Sequence, residues 1–591
     1  ELEKTKNKVF EELQKITEIL VPIKKLFIRQ KEMLKVISET INSTTFDIQS
    51  ATEDSVQRFM ELMEELDKTT ALNIEKIDNL HKKVNFSLCQ ILESKFEGKD
   101  CEHKEECSLN KMCVALEKTE EIHTQLKKFL QKIISSIEDS EFTKEITEKY
   151  RIKKLIENIE TNISTLGPAK VESPIVKKGD IIRHFVEEGE RVLVNITQSY
   201  VETCLKNHQP FLSFEMAGPR RKIYFDPAKL KCGIVTCGGL CPGINDVIRA
   251  LVMELYHVYG VKNIYGFKYG LEGFIPKYGH ELIELTPAYV ASIHELGGTI
   301  LGTSRGPQNI EEIVDTLERL NIGILFMIGG DGTLRAAEKI SQEIKRRELK
   351  CSVIGIPKTI DNDIYLVEKS FGFDTAVEKS TEAIRAAHTE AIAAYNGIGV
   401  VKLMGRHSGF IAAYATLALR EVNFTLIPEV DFDLEGEHGL LEALRRRLKA
   451  RGHAVIVVAE GAGQKYFADQ DLGTDPSGNP RLGDIGKFLV EKIQSYFASL
   501  KIPITLKYID PSYIIRSLPA NANDHIYCGF LAQNAVHAGM AGKTEMLVSS
   551  WHNTYVHIPI KAAITKRKTI DPNSALWFSV LETTGQPRLK N

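Results

Sequence analysis

Ile322-Gly323-Ile324-Leu325-Phe326-Met327-Ile328 runs directly into Gly329-Gly330-Asp331-Gly332-Thr333, and this junction decides the fold. A short continuous apolar run is the mark of a buried parallel strand. Here it ends in a glycine turn that opens an expected helix from Leu334 to Leu349. Glycines let backbone N–H groups turn inward, and a helix N-terminus adds partial positive charge, so such a turn cradles phosphate. Asp331 in that nest repels phosphate unless a divalent cation lies between them, which points to a magnesium–nucleotide site. Glycine turns also occur at strand–helix junctions for packing reasons alone. The rest of the chain decides between the two.

The same grammar recurs. Lys231-Cys232-Gly233-Ile234-Val235-Thr236 ends in Cys237-Gly238-Gly239-Leu240-Cys241-Pro242-Gly243-Ile244-Asn245-Asp246, and Ser352-Val353-Ile354-Gly355-Ile356 ends in Pro357-Lys358-Thr359-Ile360-Asp361-Asn362-Asp363. Ile398–Leu403 ends in Met404-Gly405-Arg406, and Ala454–Ala459 in Glu460-Gly461-Ala462-Gly463. Strands alternating with helices imply a doubly wound α/β sheet whose ligands gather at the strands' carboxyl ends. Helix capping accounts for one or two of the polar residues at those ends. It does not account for Asp361 and Asp363, which flank an asparagine in one turn and repel unless they share a cation.

From about Phe211 to about Pro587 the chain resembles the phosphofructokinases, in particular the ATP-dependent branch of plants, trypanosomes and some bacteria. The resemblance rests on Ala217-Gly218-Pro219-Arg220, Thr236–Asp246, Leu301-Gly302-Thr303-Ser304-Arg305-Gly306-Pro307 and Gly329–Thr333. Pro357–Asp363, Phe371-Gly372-Phe373-Asp374-Thr375-Ala376, Lys402–Arg406 and Tyr508-Ile509-Asp510-Pro511-Ser512-Tyr513-Ile514-Ile515-Arg516 complete it. It implies two doubly wound Rossmann-like subdomains, nucleotide on the first and sugar phosphate on the second. It also implies transfer of the ATP γ-phosphoryl group to the 1-hydroxyl of fructose 6-phosphate, a reaction that needs positioning, charge neutralisation and a base.

The resemblance implies roles for single residues. Asp361 is the expected base, with Thr359 and Arg406 as further catalytic groups. Gly238, Arg305, Gly306, Gly330, Asp331, Gly332 and Thr333 are expected around ATP, with Asp331 holding Mg²⁺. Thr359, Ile360, Asp361, Met404, Gly405, Arg406 and Glu460 are expected around the sugar, and Tyr513, Ile514, Ile515 and Arg516 at its phosphate. Two positions disagree about the donor. Gly332 leaves room for a nucleotide where pyrophosphate-using relatives place an aspartate, whereas Lys358 is the residue type usual in the pyrophosphate enzymes. The plant-like and trypanosome-like ATP enzymes carry both, so ATP is favoured over pyrophosphate. Asn396, Gly397 and His525 lie near where bacterial relatives place phosphate-contacting arginines. His525 also reads as a surface histidine after Asp524.

The chain has 591 residues, a formal net charge of −3 and 26% charged residues, so no basic excess suggests nucleic acid. No apolar run reaches the ~18 residues that would suggest a membrane span. The ten cysteines are scattered, and a disulfide between Cys237 and Cys241 would distort the glycine turn, which points to a reducing cytoplasm. Residues 1–166 are expected to form an all-α bundle or coiled coil, from apolar spacings such as Val9-Leu13-Ile16-Leu20 and Ile122-Leu126-Phe129-Leu130. That segment suits self-association or a helical partner. Within it Cys89, Cys101, His103, Cys107 and Cys113 cluster without a recognisable zinc spacing, leaving metal binding, redox sensing and plain burial all open.

Residues 167–230 read as a linker and extension packing on a catalytic part over 231–591. A tail from about Ser549 carries Lys566-Arg567-Lys568, read equally as a solvated turn or an effector site. The resemblance implies a homo-oligomer, tetramer or dimer. The competing readings are a pyrophosphate-dependent phosphofructokinase, a lipid or NAD kinase sharing the glycine turn, and a non-catalytic sensor or scaffold working through the helical part.

Overall fold

The computed structural model describes residues 159–177, 184–206, 208–474, 478 and 480–591. The expected helical domain, up to residue 158, and its cysteine–histidine cluster lie outside them. Ile159–Ile196 and Phe211–Asn591 form one compact unit. Thr197–Pro210 belongs to a different unit and carries the helix Gln198–Lys206, on which Tyr200 and Cys204 are buried.

The apolar runs become strands because they are buried on both faces. Ile324–Gly329 and Ser352–Pro357 are buried at every residue, and Lys231–Thr236 at all but Lys231. With Asn263–Phe267 and Met546–Trp551 they make the parallel centre of a nine-stranded sheet. Its edges run antiparallel: Leu282–Glu284 on one side, then Thr554–Pro559, Ser213–Met216 and Arg191–Leu193 on the other. The sheet is therefore mixed, with extension strands added to a doubly wound centre. Register places Thr236 opposite Ile328 and Pro357 opposite Gly329, so three loops leave the sheet at one edge.

A second sheet of four strands is parallel throughout, ordered Phe424–Leu426, His453–Ala459, Gly397–Leu403 and Thr505–Ile509. Leu403 lies opposite Ala459, so the Met404–Arg406 and Glu460–Gly461 turns leave side by side. The approach is so close that a Cβ on Gly461 would stand 1.9 Å from the Arg406 carbonyl oxygen. Only glycine fits there.

Three expectations need correction. The helix after the glycine turn spans Asp331–Arg346, because the Thr333 and Leu334 amides already donate back to the Gly330 carbonyl at 2.9 and 3.0 Å. Asp331 thus sits in the helix's first turn. The supposed tail from Ser549 begins inside the main sheet, since Met546–Trp551 pairs with Ser352–Pro357. Ser164–Thr165, placed in the helical segment, is instead a short strand antiparallel to Lys543–Thr544.

One buried carboxylate ties the two halves of the catalytic unit. Asp524 accepts the Gly372 amide at 2.9 Å, the Thr375 amide at 2.8 Å and the Thr375 hydroxyl at 2.6 Å, capping the helix Phe373–Ala393 from another helix. Losing a cap of this kind and leaving its donors buried destabilises by about 2 kcal/mol. Asp524→Ala should therefore lower the unfolding free energy read from a urea titration by about that amount, with a lower midpoint, and Asp524→Asn by less. Equal midpoints in the alanine variant and the parent would remove the cap from the account.

Candidate active site

The three loops leaving the main sheet interlock. The Cys237 amide donates to the Ile328 carbonyl at 3.0 Å, the Lys358 amide to Gly329 at 3.0 Å, and the Thr303 hydroxyl to Gly238 at 2.7 Å. Gly238 holds φ +83° and Gly306 φ +100°, backbone that side-chain-bearing residues rarely adopt. The Lys358 ammonium is buried and donates to the Gly239 carbonyl at 2.6 Å. Burial pulls it below the usual lysine range, and burial pushes the Cys237 thiol up to about 12. Both thiols of the turn, Cys237 and Cys241, are buried and unlinked. A Cβ on Gly332 would meet nothing within 4 Å, so this helix turn faces open space.

Asp361 sits where the two sheets meet. Its Oδ2 accepts the Arg406 amide at 3.2 Å, and its carbonyl accepts the Ser408 hydroxyl at 3.1 Å. Its Oδ1 is buried without a hydrogen-bond partner. Burial first, then the charges of Asp363 and Glu460, push this carboxyl up to about 7. Burial likewise raises Glu460, opposed by Lys402, Arg406 and Arg516, which brings Arg516 into the same field. The Arg406 guanidinium bonds the Pro480 carbonyl.

Thr359 donates its hydroxyl to Asp363 Oδ1 at 2.9 Å. Of the Tyr513–Arg516 group, Tyr513 and Ile514 are 76% and 67% exposed, whereas the Ile515 side chain is in the core and offers only its backbone. The Arg516 guanidinium lies 4.6 Å over the Tyr513 ring. His525 is not a free surface histidine: its Nδ1 bonds the Asp246 carboxylate.

The residue that the sequence did not place here is Arg567. Its Nη1 donates to Asp363 Oδ2 at 2.7 Å, and its Nη2 lies 3.6 Å from Asp331 Oδ2. Asp331 is also paired with Arg335 at 3.0 Å, and Arg335 in turn reaches the Ile564 carbonyl at 2.8 Å. Glu429 was missed as well; it accepts the Gly409 amide at 3.1 Å and the Ile570 amide at 2.8 Å. Its only sequence signal is a glutamate before an apolar–acidic stretch, which is too common to read.

The sequence profile of the phosphofructokinase family matches residues 231–539. The chain is 51% identical to the ATP-dependent 6-phosphofructokinase of Borreliella burgdorferi over 446 residues, covering 74% of this chain and 99% of that one. The chain belongs to the phosphofructokinase family. A relative from Amycolatopsis methanolica, also an ATP-dependent 6-phosphofructokinase, is 50% identical over 72% of this chain and 94% of its own. The fold matches that of a pyrophosphate-dependent phosphofructokinase from Marinobacter aquaeolei, with TM-score 0.50 and 19% identity over 61% of this chain and 92% of the other. At that identity the phosphofructokinase likeness is one of fold alone.

Proposed function

We propose that this chain is an ATP-dependent 6-phosphofructokinase, moving the ATP γ-phosphoryl group to the 1-hydroxyl of fructose 6-phosphate. The half-identical relatives support it. The observation that carries it in this molecule is Asp361: one oxygen pinned by the Arg406 amide, the other buried and without a partner. Such a carboxylate is placed to take the proton of an entering hydroxyl. Arg406, Thr359, Ile360, Met404, Gly405 and Glu460 border the sugar in this reading, with Tyr513–Arg516 at its phosphate. Gly238, Arg305, Gly306, Gly330, Gly332 and Thr333 surround the donor phosphates.

Asp331 and Asp363 share one guanidinium, so both already face a single cation. Among the described residues no group of three or more His, Cys, Asp or Glu is placed for a metal. Mg²⁺ commonly takes one or two carboxylates, with substrate phosphates and water completing its shell, so these two fit it. Bound there, it would neutralise phosphate charge. Among the described residues six buried free thiols, Cys232, Cys351 and Cys528 included, support a reducing compartment such as the cytoplasm. Among the described residues no helix is long and apolar enough to cross a membrane. The reading further takes residues up to 158 as a helical module, keeps Ile159–Ile196 and 211–230 with the 231–591 catalytic part, and takes the enzyme as a homo-oligomer.

A coupled assay for fructose 1,6-bisphosphate, with ATP or pyrophosphate supplied separately, tests the donor. Turnover with pyrophosphate alone would make Lys358 the better guide than Gly332. No turnover with either would favour a sensor.

The raised carboxyl gives a pH signature. A base works ionised, so kcat/KM should climb as pH rises through about 7 and then level. Glu460→Gln removes one repelling charge and should move that midpoint down. The same shift lets the folded state hold a proton more tightly than the unfolded one. Stability contributed by this group therefore falls as pH rises from 3.8 to about 7. A kcat/KM profile flat across this window would exclude Asp361 as the base.

A further inference from the structure

The basic cluster Lys566-Arg567-Lys568 lies beyond the family profile's match, and although Lys566 is exposed on a bend, Arg567 and Lys568 are half-buried against the Asp361–Lys369 loop. Its main chain forms an antiparallel bridge between Ile364 and Arg567, and the Lys568 amide donates to the Asp363 carbonyl at 2.9 Å. The Lys568 ammonium donates to the carbonyls of Val367 and Glu368 at 2.7 and 3.0 Å, and Ile570 is tied to Glu429. Those bonds hold the segment across the Asp361–Lys369 loop without help from the Arg567 side chain. That side chain is 35% exposed, and its fork spans the two carboxylates, one per Nη.

Arg335 also pairs with Asp331, at 3.0 Å, so Arg567 is the group that bridges the two carboxylates, held more closely by Asp363 at 2.7 Å than by Asp331 at 3.6 Å. A divalent ion held by Asp331 and Asp363 would double the attraction to each carboxylate, with donor phosphate oxygens and water completing its shell and offsetting its lost hydration. In the ATP-donor reading the displaced fork, anchored by a fixed backbone, would lie beside the donor phosphates, where its planar pair of donors would match phosphate oxygens.

We propose that Arg567 is a resident counter-cation of the donor site: it neutralises Asp331 and Asp363, yields them to the divalent metal, and then binds the donor's terminal phosphate. This rests on the ATP-donor reading above.

The test uses Mn²⁺ alone, followed by electron paramagnetic resonance, and a β,γ-methylene ATP analogue with Mn²⁺, followed by calorimetry. Arg567→Ala should bind Mn²⁺ alone about tenfold more tightly and the metal–nucleotide about tenfold more weakly. Arg567→Lys should restore part of the nucleotide affinity, keeping charge without the fork. An alanine variant that loses both affinities, or neither, overturns the proposal. So does a Lys568→Met variant that reproduces the paired opposite shifts, since the effect would then belong to the segment's anchoring. Failure of the parent enzyme to bind the metal–analogue complex would reject the ATP reading itself, leaving its Mn²⁺ affinity against that of Arg567→Ala to judge the guanidinium.

Discussion

Asp361→Asn should lower kcat by about a thousandfold while the dissociation constant for the metal–nucleotide stays within about twofold. That loss corresponds to about 4 kcal/mol of transition-state stabilisation. The asparagine keeps an oxygen to accept the Arg406 amide, so the loop between the sheets should hold its shape. What disappears is the proton acceptor at Oδ1, the atom left buried without a partner. Burial already disfavours the charged carboxylate, so the neutral amide should leave the melting temperature equal or higher above pH 7. The variant thus separates chemistry from folding. A fall of less than tenfold in kcat would assign the base elsewhere, and a comparable fall in nucleotide affinity would move Asp361 to the donor side.

Gly332→Asp should cut kcat/KM for ATP by about a hundredfold or more, about 3 kcal/mol, because it sets a carboxylate against the polyphosphate. The fold itself has room for the change: a Cβ at this position meets nothing within 4 Å. It also falls in the first turn of the helix Asp331–Arg346, where a negative side chain complements the helix dipole. Opposite signs are therefore expected, with thermal stability slightly raised and ATP use strongly lowered. Pyrophosphate, having no nucleoside or α-phosphate to collide with the new side chain, should be penalised less. Equal losses for both donors would show that position 332 does not discriminate between them.

Much of the catalytic unit is legible in the chain because the information is local. Ile324–Gly329 and Ser352–Pro357 are buried on both faces, so each had to be a continuous apolar run, and the loop after each had to carry its polar residues in sequence. Asp361 sits in such a loop, Asp331 opens the helix behind one, and Arg406 follows Gly397–Leu403 in the same way, so their places are local while their roles come from the family resemblance. What failed was non-local. Arg567 meets Asp363 from 204 residues away, and His525 meets Asp246 from 279 away, with no periodicity linking either pair. Ser549 and Ser550 break the apolar run of Met546–Trp551, so the second half of that strand reads as the start of a tail. Yet Ser549 is fully buried. The helix start moved to Asp331 because capping is decided by backbone geometry at Gly330, which composition does not reveal.

The placement of Met546–Trp551 in the middle of the main sheet has a consequence in time. The Ser352 hydroxyl waits for the carbonyl of Lys543, 191 residues further along. At about 5–20 residues per second on the ribosome, that gap is roughly 10–40 seconds of synthesis. From early in that interval the nascent chain carries Asp331 and Asp361, and for most of it Arg406 as well, on a sheet missing an interior member. Arg567 emerges later still. A half-made chain therefore displays the chemical groups of a kinase without the means to hold them, and competence arrives only once Met546–Trp551 and Arg567 have been translated.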